Sequence, residues 1–164
     1  MINPFSEVIN AIQKVNGQVS GIEYAPLQDS YPGHVDTMIV PCALTRIAPG
    51  SIIPLSSPAM PATLNLIVTI YVETWNQSDL SIILPQCNQI GAAWWQKFQA
   101  DDTYLWGDSE RKFLVEENGL QIYINATGTE TFTGYVPRQY PLGSTNDYHA
   151  IEMTLSVDVQ VGDC

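Results

Sequence analysis

Positive charge is scarce in this sequence. Only 6 of the 164 residues are Lys or Arg, against 17 Asp and Glu, which gives a formal net charge of −11. Proteins that grip nucleic acid or anionic membranes need clustered Lys and Arg, whereas these cations are dispersed apart from the adjacent pair Arg111 and Lys112. The composition therefore disfavours a DNA-gripping protein, although it is compatible with DNA passing nearby without being held.

Cysteine, histidine and long apolar runs are also scarce. The three cysteines are odd in number and too widely spaced for a CxxC site or a disulfide framework. Cys42 and Cys87 lie inside apolar runs, so we expect both to be small buried side chains. No run approaches the roughly 18 apolar residues of a membrane span, and the first residues lack a basic segment typical of a signal peptide. We therefore expect a soluble chain folded in a reducing cytoplasm.

Catalytic and ligand-binding motifs are absent from the sequence. It contains no GxxxxGK, GxGxxG or GxSxG pattern, and its acidic pairs lack the spacing of a calcium loop. A triad of Ser144, Asp147 and His149 can be imagined, and His34 lies in a turn-like stretch. We predict no enzyme, no cofactor and no metal. One alternative stays open because 4 Trp and 8 Tyr are present: a small carbohydrate-type ligand-binding or hydrolytic domain.

The first third of the chain combines a helix with a proline-rich stretch. Pro4 at a helix start, apolar residues at helical spacing and a closing Asn16-Gly17 predict a short amphipathic helix. Residues 21–61 carry seven prolines, which exclude a long helix there. We predict a strand over residues 37–46, around Pro41, followed by a long projecting loop with apolar side chains.

The rest of the sequence predicts strands around one further helix. In residues 63–75, apolar and polar side chains alternate, which predicts a half-buried strand. Apolar residues at spacings of three and four predict a helix over residues 80–98. We expect one of Trp94 and Trp95 in the core and the other at a subunit contact. An acid-rich loop over residues 101–110 precedes three short strands and a long alternating final strand. The predicted fold is a single α+β domain over residues 1–164, a mostly antiparallel sheet with an N-terminal helix and a central helix packed on it.

This layout resembles the tail terminator (tail completion) proteins of tailed bacteriophages. The likeness covers nearly the whole chain as an order of elements, and no single motif is diagnostic. The segments that carry it are Val40-Pro41-Cys42-Ala43-Leu44, Ile47-Ala48-Pro49-Gly50, the strand over residues 64–75, the helix after it, Phe132-Thr133-Gly134-Tyr135-Val136, and Tyr148-His149-Ala150-Ile151-Glu152-Met153-Thr154-Leu155-Ser156-Val157.

The resemblance implies a structural virion protein, assembled in the bacterial host cytoplasm, that forms a hexameric ring at the head-proximal end of the tail tube. Such a ring would present β edges and loops to the tail tube protein, end tube polymerisation, and join the tail to a neck, stopper or connector protein, with no membrane partner. It brings no catalytic residues. The closest alternative is a head-tail stopper or another neck protein.

Two groups of residues become interface candidates under this resemblance. The loop over residues 46–60 would reach a neighbouring subunit or the tube, through Arg46, Ile47, Pro49, Ile52, Ile53 and Leu55. The acidic stretch departs from the family pattern, and we expect it to line a DNA channel or rim by charge repulsion, through Asp101, Asp102, Asp108, Glu110, Glu116 and Glu117.

Overall fold

A computed structural model gives the fold. It describes residues 4–32, 39–49, 62–75, 79–99, 105–106, 108–117, 120–125, 131–140 and 147–161. The elements, in chain order, are α1 (Pro4–Asn16), a short 3-10 turn (Gln28–Ser30), β1 (Cys42–Ile47), β2 (Ala62–Thr74), α2 (Leu80–Gln99), β3 (Leu105–Trp106), β4 (Asp108–Glu117), β5 (Leu120–Asn125), β6 (Thr131–Gln139) and β7 (Asp147–Val161). The predicted α+β class, with one helix at the N-terminus and one in the centre, is confirmed.

The described strands form one sheet in which every pairing between strands is antiparallel. The order is β1-β2-β7-β5-β4-β3, and β6 pairs with β7 as a branch. On one side β7 pairs with β2, and on the other it pairs first with β6 and then, from Val157, with β5. Beside β6 the sheet therefore reads β1-β2-β7-β6, with β1 and β6 on opposite sides.

Two strand boundaries differ from the sequence prediction. The first strand begins at Cys42, not at residue 37, because Pro41 has no N–H for the ladder and its carbonyl accepts hydrogen bonds from the N–H groups of Glu23 and Tyr24 at 3.0 and 3.2 Å. Thr37 itself lies outside the described residues. The predicted acid-rich loop also becomes partly strand, since β4 already begins at Asp108.

Both helices cover the same face of the sheet. Along β2 and β7, every second side chain is buried and packs against α1 and α2. In α2, Trp94 and Phe98 are fully buried, and their stacked rings have centroids 4.4 Å apart. This packing confirms the predicted apolar stripe of α2 and places Trp94 in the core. Cys42 and Cys87 are buried, as predicted, and burial raises their pKa values to about 12 and about 11.

A neutral polar network lies inside this apolar layer. The Gln13 side chain donates to the carbonyls of Pro26 and Ala43 at 2.6 and 2.8 Å, and its Oε1 accepts from Asn16 and Thr45 at 3.0 and 2.8 Å. These bonds satisfy each polar end of a fully buried amide, as burial requires. Asn16 in turn accepts from the indole Nε1 of Trp94 at 2.9 Å, so the network joins α1, β1 and α2.

Candidate assembly surface

One flank of α2 exposes large apolar side chains. The helix buries one stripe against the sheet, but Trp95 lies on the flank that faces β6 and is 44% exposed. Phe132 of β6, also 44% exposed, packs its ring against Gly91 at the same place. Large aromatics that stay exposed next to a regular core are typical of protein interfaces. Trp94, the other member of the pair, is fully buried, so the prediction that one of the paired tryptophans lies in the core is confirmed.

These residues enclose a shallow apolar groove. A depression of about 310 Å³ lies between α2 and β6. An added Cβ at residue 91 would stand 2.8 Å from Cε2 of Phe132, so a larger residue there would displace this exposed ring. The groove is lined by Asn88, Gly91, Ala92, Trp95 and Phe132.

The opposite flank of α2 has a different character. Gln86, Gln89 and Ala93 lie there and border a depression of about 600 Å³ together with Pro41 and Glu23. Pro41 directly precedes β1, so this flank belongs to the β1 side of the molecule. The helix thus separates an apolar groove on the β6 side from a glutamine-lined hollow on the β1 side.

The sheet face away from the helices carries a charged cluster. Glu152 of β7 is buried and accepts from Nε and Nη2 of Arg138 at 2.9 and 3.0 Å, and from Oγ1 of Thr69 at 3.1 Å. Arg46 of β1 lies 3.9 Å away with a side chain that is 58% exposed. The hydrogen bonds from the Arg138 guanidinium hold the pKa of the Glu152 carboxylate below its usual value, whereas burial acts in the opposite direction.

The glycine opposite Glu152 has a left-handed backbone conformation. Gly134 of β6 pairs with Glu152 after a bulge, adopts a φ of +109°, and an added Cβ there would meet nothing within 4 Å. That conformation favours glycine.

The edge of β1 is largely occupied by the chain itself. The N–H of Ala43 donates to the Tyr24 carbonyl at 2.9 Å, and the Ala43 carbonyl accepts from Gln13. The Tyr31 hydroxyl donates to the Thr45 carbonyl at 2.9 Å and accepts from the Thr45 N–H at 3.2 Å. Contact through this part of the edge, as the resemblance implies for β edges, would have to displace these bonds.

His149 is held inside the fold. It is buried, stacks against Trp75 with centroids 4.6 Å apart, and its Nδ1 is 2.7 Å from the Tyr135 hydroxyl. Its backbone lies in β7, as the sequence layout suggests, but the imagined triad partner Ser144 lies outside the described residues, as does His34. Among the described residues, no three His, Cys, Asp or Glu side chains gather into a metal-binding group.

The structure places only part of the predicted interface loop. Arg46 and Ile47 end β1, with Arg46 on the open face and Ile47 packed towards the helices, and Pro49 is exposed. Ile52, Ile53 and Leu55 lie outside the described residues. The structure does not bring Arg46 and Ile47 to one face, because neighbouring strand residues point to opposite sides of a sheet.

For the predicted acidic rim, the structure gives the strand to which four of the residues belong. Asp108, Glu110, Glu116 and Glu117 belong to β4, beyond β5 from the central β7. Asp101 and Asp102 lie outside the described residues.

Comparisons with known proteins do not indicate what binds these surfaces. No protein-family model matches the chain, and no curated protein matches it. In the part of the chain that the structure describes, no helix is both long and apolar enough to cross a membrane.

Proposed function

We propose that this chain is a structural protein of a phage tail: a terminator-like ring subunit that ends tube polymerisation and joins the tail to the neck. The observation that carries the proposal is the exposed apolar groove at Gly91, Trp95 and Phe132. Aromatic and small apolar residues in a concave surface fit a protein partner. The buried Glu152 and His149, by contrast, bond inside the fold, Glu152 to Arg138 and His149 to Tyr135.

The order of elements supports the same proposal. The sequence resemblance rests on an N-terminal helix, a Pro-rich strand and loop, a long strand, a helix and a long final strand. The fold contains the helices and strands of this series in that order as α1, β1, β2, α2 and β7, while residues 50–61 of the loop lie outside the described residues. This agreement supports the layout and leaves the terminator role as the proposal.

The net charge of −11 fits a ring through which DNA passes. Like charges repel, so acidic residues facing a lumen would keep the phosphate backbone from adhering. In this proposal the six acids of residues 101–117 face the channel or its rim.

The test uses the cognate tail tube protein polymerised in vitro. We expect the purified chain, added below stoichiometric amounts, to shorten the tubes and to appear as a ring on one tube end by electron microscopy. Tubes of unchanged length with bare ends would contradict the proposal. Binding to the portal-side adaptor instead of the tube end would identify a head-tail stopper.

A further inference from the structure

The charged cluster on the sheet face away from the helices contains one more positive charge than negative charge. The Glu152 carboxylate has two guanidinium groups beside its Oε2 atom, with Nε of Arg138 at 2.9 Å and Nη1 of Arg46 at 3.9 Å. The Thr69 hydroxyl, which donates to the same oxygen, is neutral. The cluster therefore carries a net charge of about +1 at neutral pH, in a chain that carries −11. We propose that Arg46, with the exposed side of Arg138, binds a carboxylate on an acidic segment of a partner protein.

The fold uses the two arginines differently. Arg138 donates from Nε and Nη2 to the two oxygens of Glu152, which makes a bidentate pair. Oε2 of Glu152 also accepts from Thr69, so its two lone pairs are already occupied. Arg46 is therefore held near Glu152 by charge alone. Within the described part of the chain, no hydrogen bond engages the Arg46 guanidinium, and its N–H donors stay open to a ligand.

The sheet register keeps Arg46 beside the cluster. Arg46 pairs with Ile67 of β2, which pairs with Thr154 of β7. Glu152 is the next residue of β7 on the same face, and Arg138 of β6 lies beyond it in the opposite direction. The two guanidinium groups thus flank the carboxylate, with side chains that are 58% and 43% exposed. Ile67 and Thr154 are half-buried and uncharged, so they offer contact area beside Arg46 without repelling an anion.

The number of available cations favours a carboxylate on a protein over the phosphates of a nucleic acid. Nucleic acids are gripped through many Lys and Arg, whereas this chain has only six in total. One guanidinium is matched by one carboxylate, with which its planar fork forms two parallel hydrogen bonds. At physiological ionic strength exposed charges are screened beyond about 8 Å, so acids elsewhere in the chain oppose a short acidic segment only weakly.

This site is separate from the groove on α2, because it lies on the other face of the sheet. Binding there needs neither a ring nor a tail tube, so the inference does not depend on the proposed function. Because the exposed Arg46 guanidinium forms no hydrogen bond in the described fold, its removal should impair binding while the protein stays folded.

Peptide binding tests the site. The probe is a synthetic peptide of alternating Glu and Gly residues with blocked termini and an uncharged fluorescent dye, and the control peptide has Gln in place of Glu. Binding to the purified chain is measured by fluorescence anisotropy at about 0.1 M salt. The variants are Arg46→Gln and Arg46→Lys. The matched control, Lys14→Gln, removes one positive charge from an exposed site on α1, on the other face of the sheet. Circular dichroism checks that each variant is folded.

We expect the unmodified chain to bind the Glu peptide at least about tenfold more tightly than the Gln peptide. Arg46→Gln should weaken this binding about fivefold or more, and Lys14→Gln less than about twofold. Arg46→Lys should fall between them, because an ammonium keeps the charge but lacks the planar fork. Equal losses for Arg46→Gln and Lys14→Gln, or no preference for the Glu peptide, would overturn the proposal. Tighter binding of a single-stranded DNA oligonucleotide of the same charge would identify phosphate as the ligand and would also overturn it.

Discussion

Two polar networks reach β1, one on each face of the sheet. Beneath the helices the network is neutral and enclosed: Gln13, Asn16 and Thr45 are buried, and the four hydrogen bonds described for the Gln13 side chain all stay within the protein. On the open face it is charged and reaches solvent through Arg46 and Arg138.

The two networks differ in how much their polar contacts stabilise the fold. An enclosed neutral network cannot exchange its partners for water, so losing one member leaves several buried groups unsatisfied. A charged network at a solvent boundary is screened, and its outer members contribute little to stability. Arg46 belongs to this outer group and stays accessible to a neighbour.

The largest effect is expected from breaking the enclosed network. Gln13→Ala removes the partners of two backbone carbonyls and of two side chains at once. We expect the free energy of unfolding to fall by about 3 kcal/mol, measured by urea denaturation. Gln89→Ala, the same change at an exposed site on α2, should cost less than about 0.5 kcal/mol. Similar losses for both variants would contradict the distinction between the networks.

A smaller, pH-dependent effect is expected at Glu152. The pKa of Glu152 is lowered in the folded state. Its contribution to the free energy of unfolding is therefore present above the unfolded pKa and is lost as the pH falls through the folded pKa. We expect Glu152→Gln to cost about 1 to 2 kcal/mol at pH 7, at the low end for charged hydrogen bonds because both arginines reach solvent. The cost should shrink as the pH is lowered into the acidic range.

Two further measurements sharpen this expectation. Glu73→Gln, a change of the same charge on β2, controls for the loss of one negative charge from the chain. A cost for Glu152→Gln that stays constant down to acid pH would show that the ion pair is not its source.

The smallest effect is expected at the outer arginine. The Arg46 guanidinium is 3.9 Å from Glu152, beyond a normal hydrogen bond, and its side chain is mostly exposed. We expect Arg46→Gln to change the free energy of unfolding by less than about 0.5 kcal/mol. A loss above about 1 kcal/mol would place Arg46 in the structural part of the network.

Much of the fold follows from sequence patterns. The 3.6-residue period of α1 and α2 and the alternation of β2 and β7 predicted these four elements within a few residues. The start of β1 was wrong by five residues, because the bonds from Glu23 and Tyr24 to the Pro41 carbonyl join segments that no local pattern connects.

The candidate surface was predictable only in part. The pair Trp94 and Trp95 indicated one buried and one exposed ring, but the partner ring of Phe132 depends on how β6 packs against Gly91. Similarly, the sequence indicates Glu152 only as a polar position of the final strand and Arg138 only as one of the dispersed cations. Only the strand register, with its bulge before Gly134, brings them together.

The length of tail tubes tests the central claim most directly, because that claim joins the groove to assembly. We expect the unmodified chain and Ile82→Lys to shorten tubes equally, since Ile82 is exposed outside the groove. Trp95→Lys, which makes the same change of charge in the groove, should leave the tubes long while the protein stays folded by circular dichroism. Equal shortening by all three proteins would contradict the account.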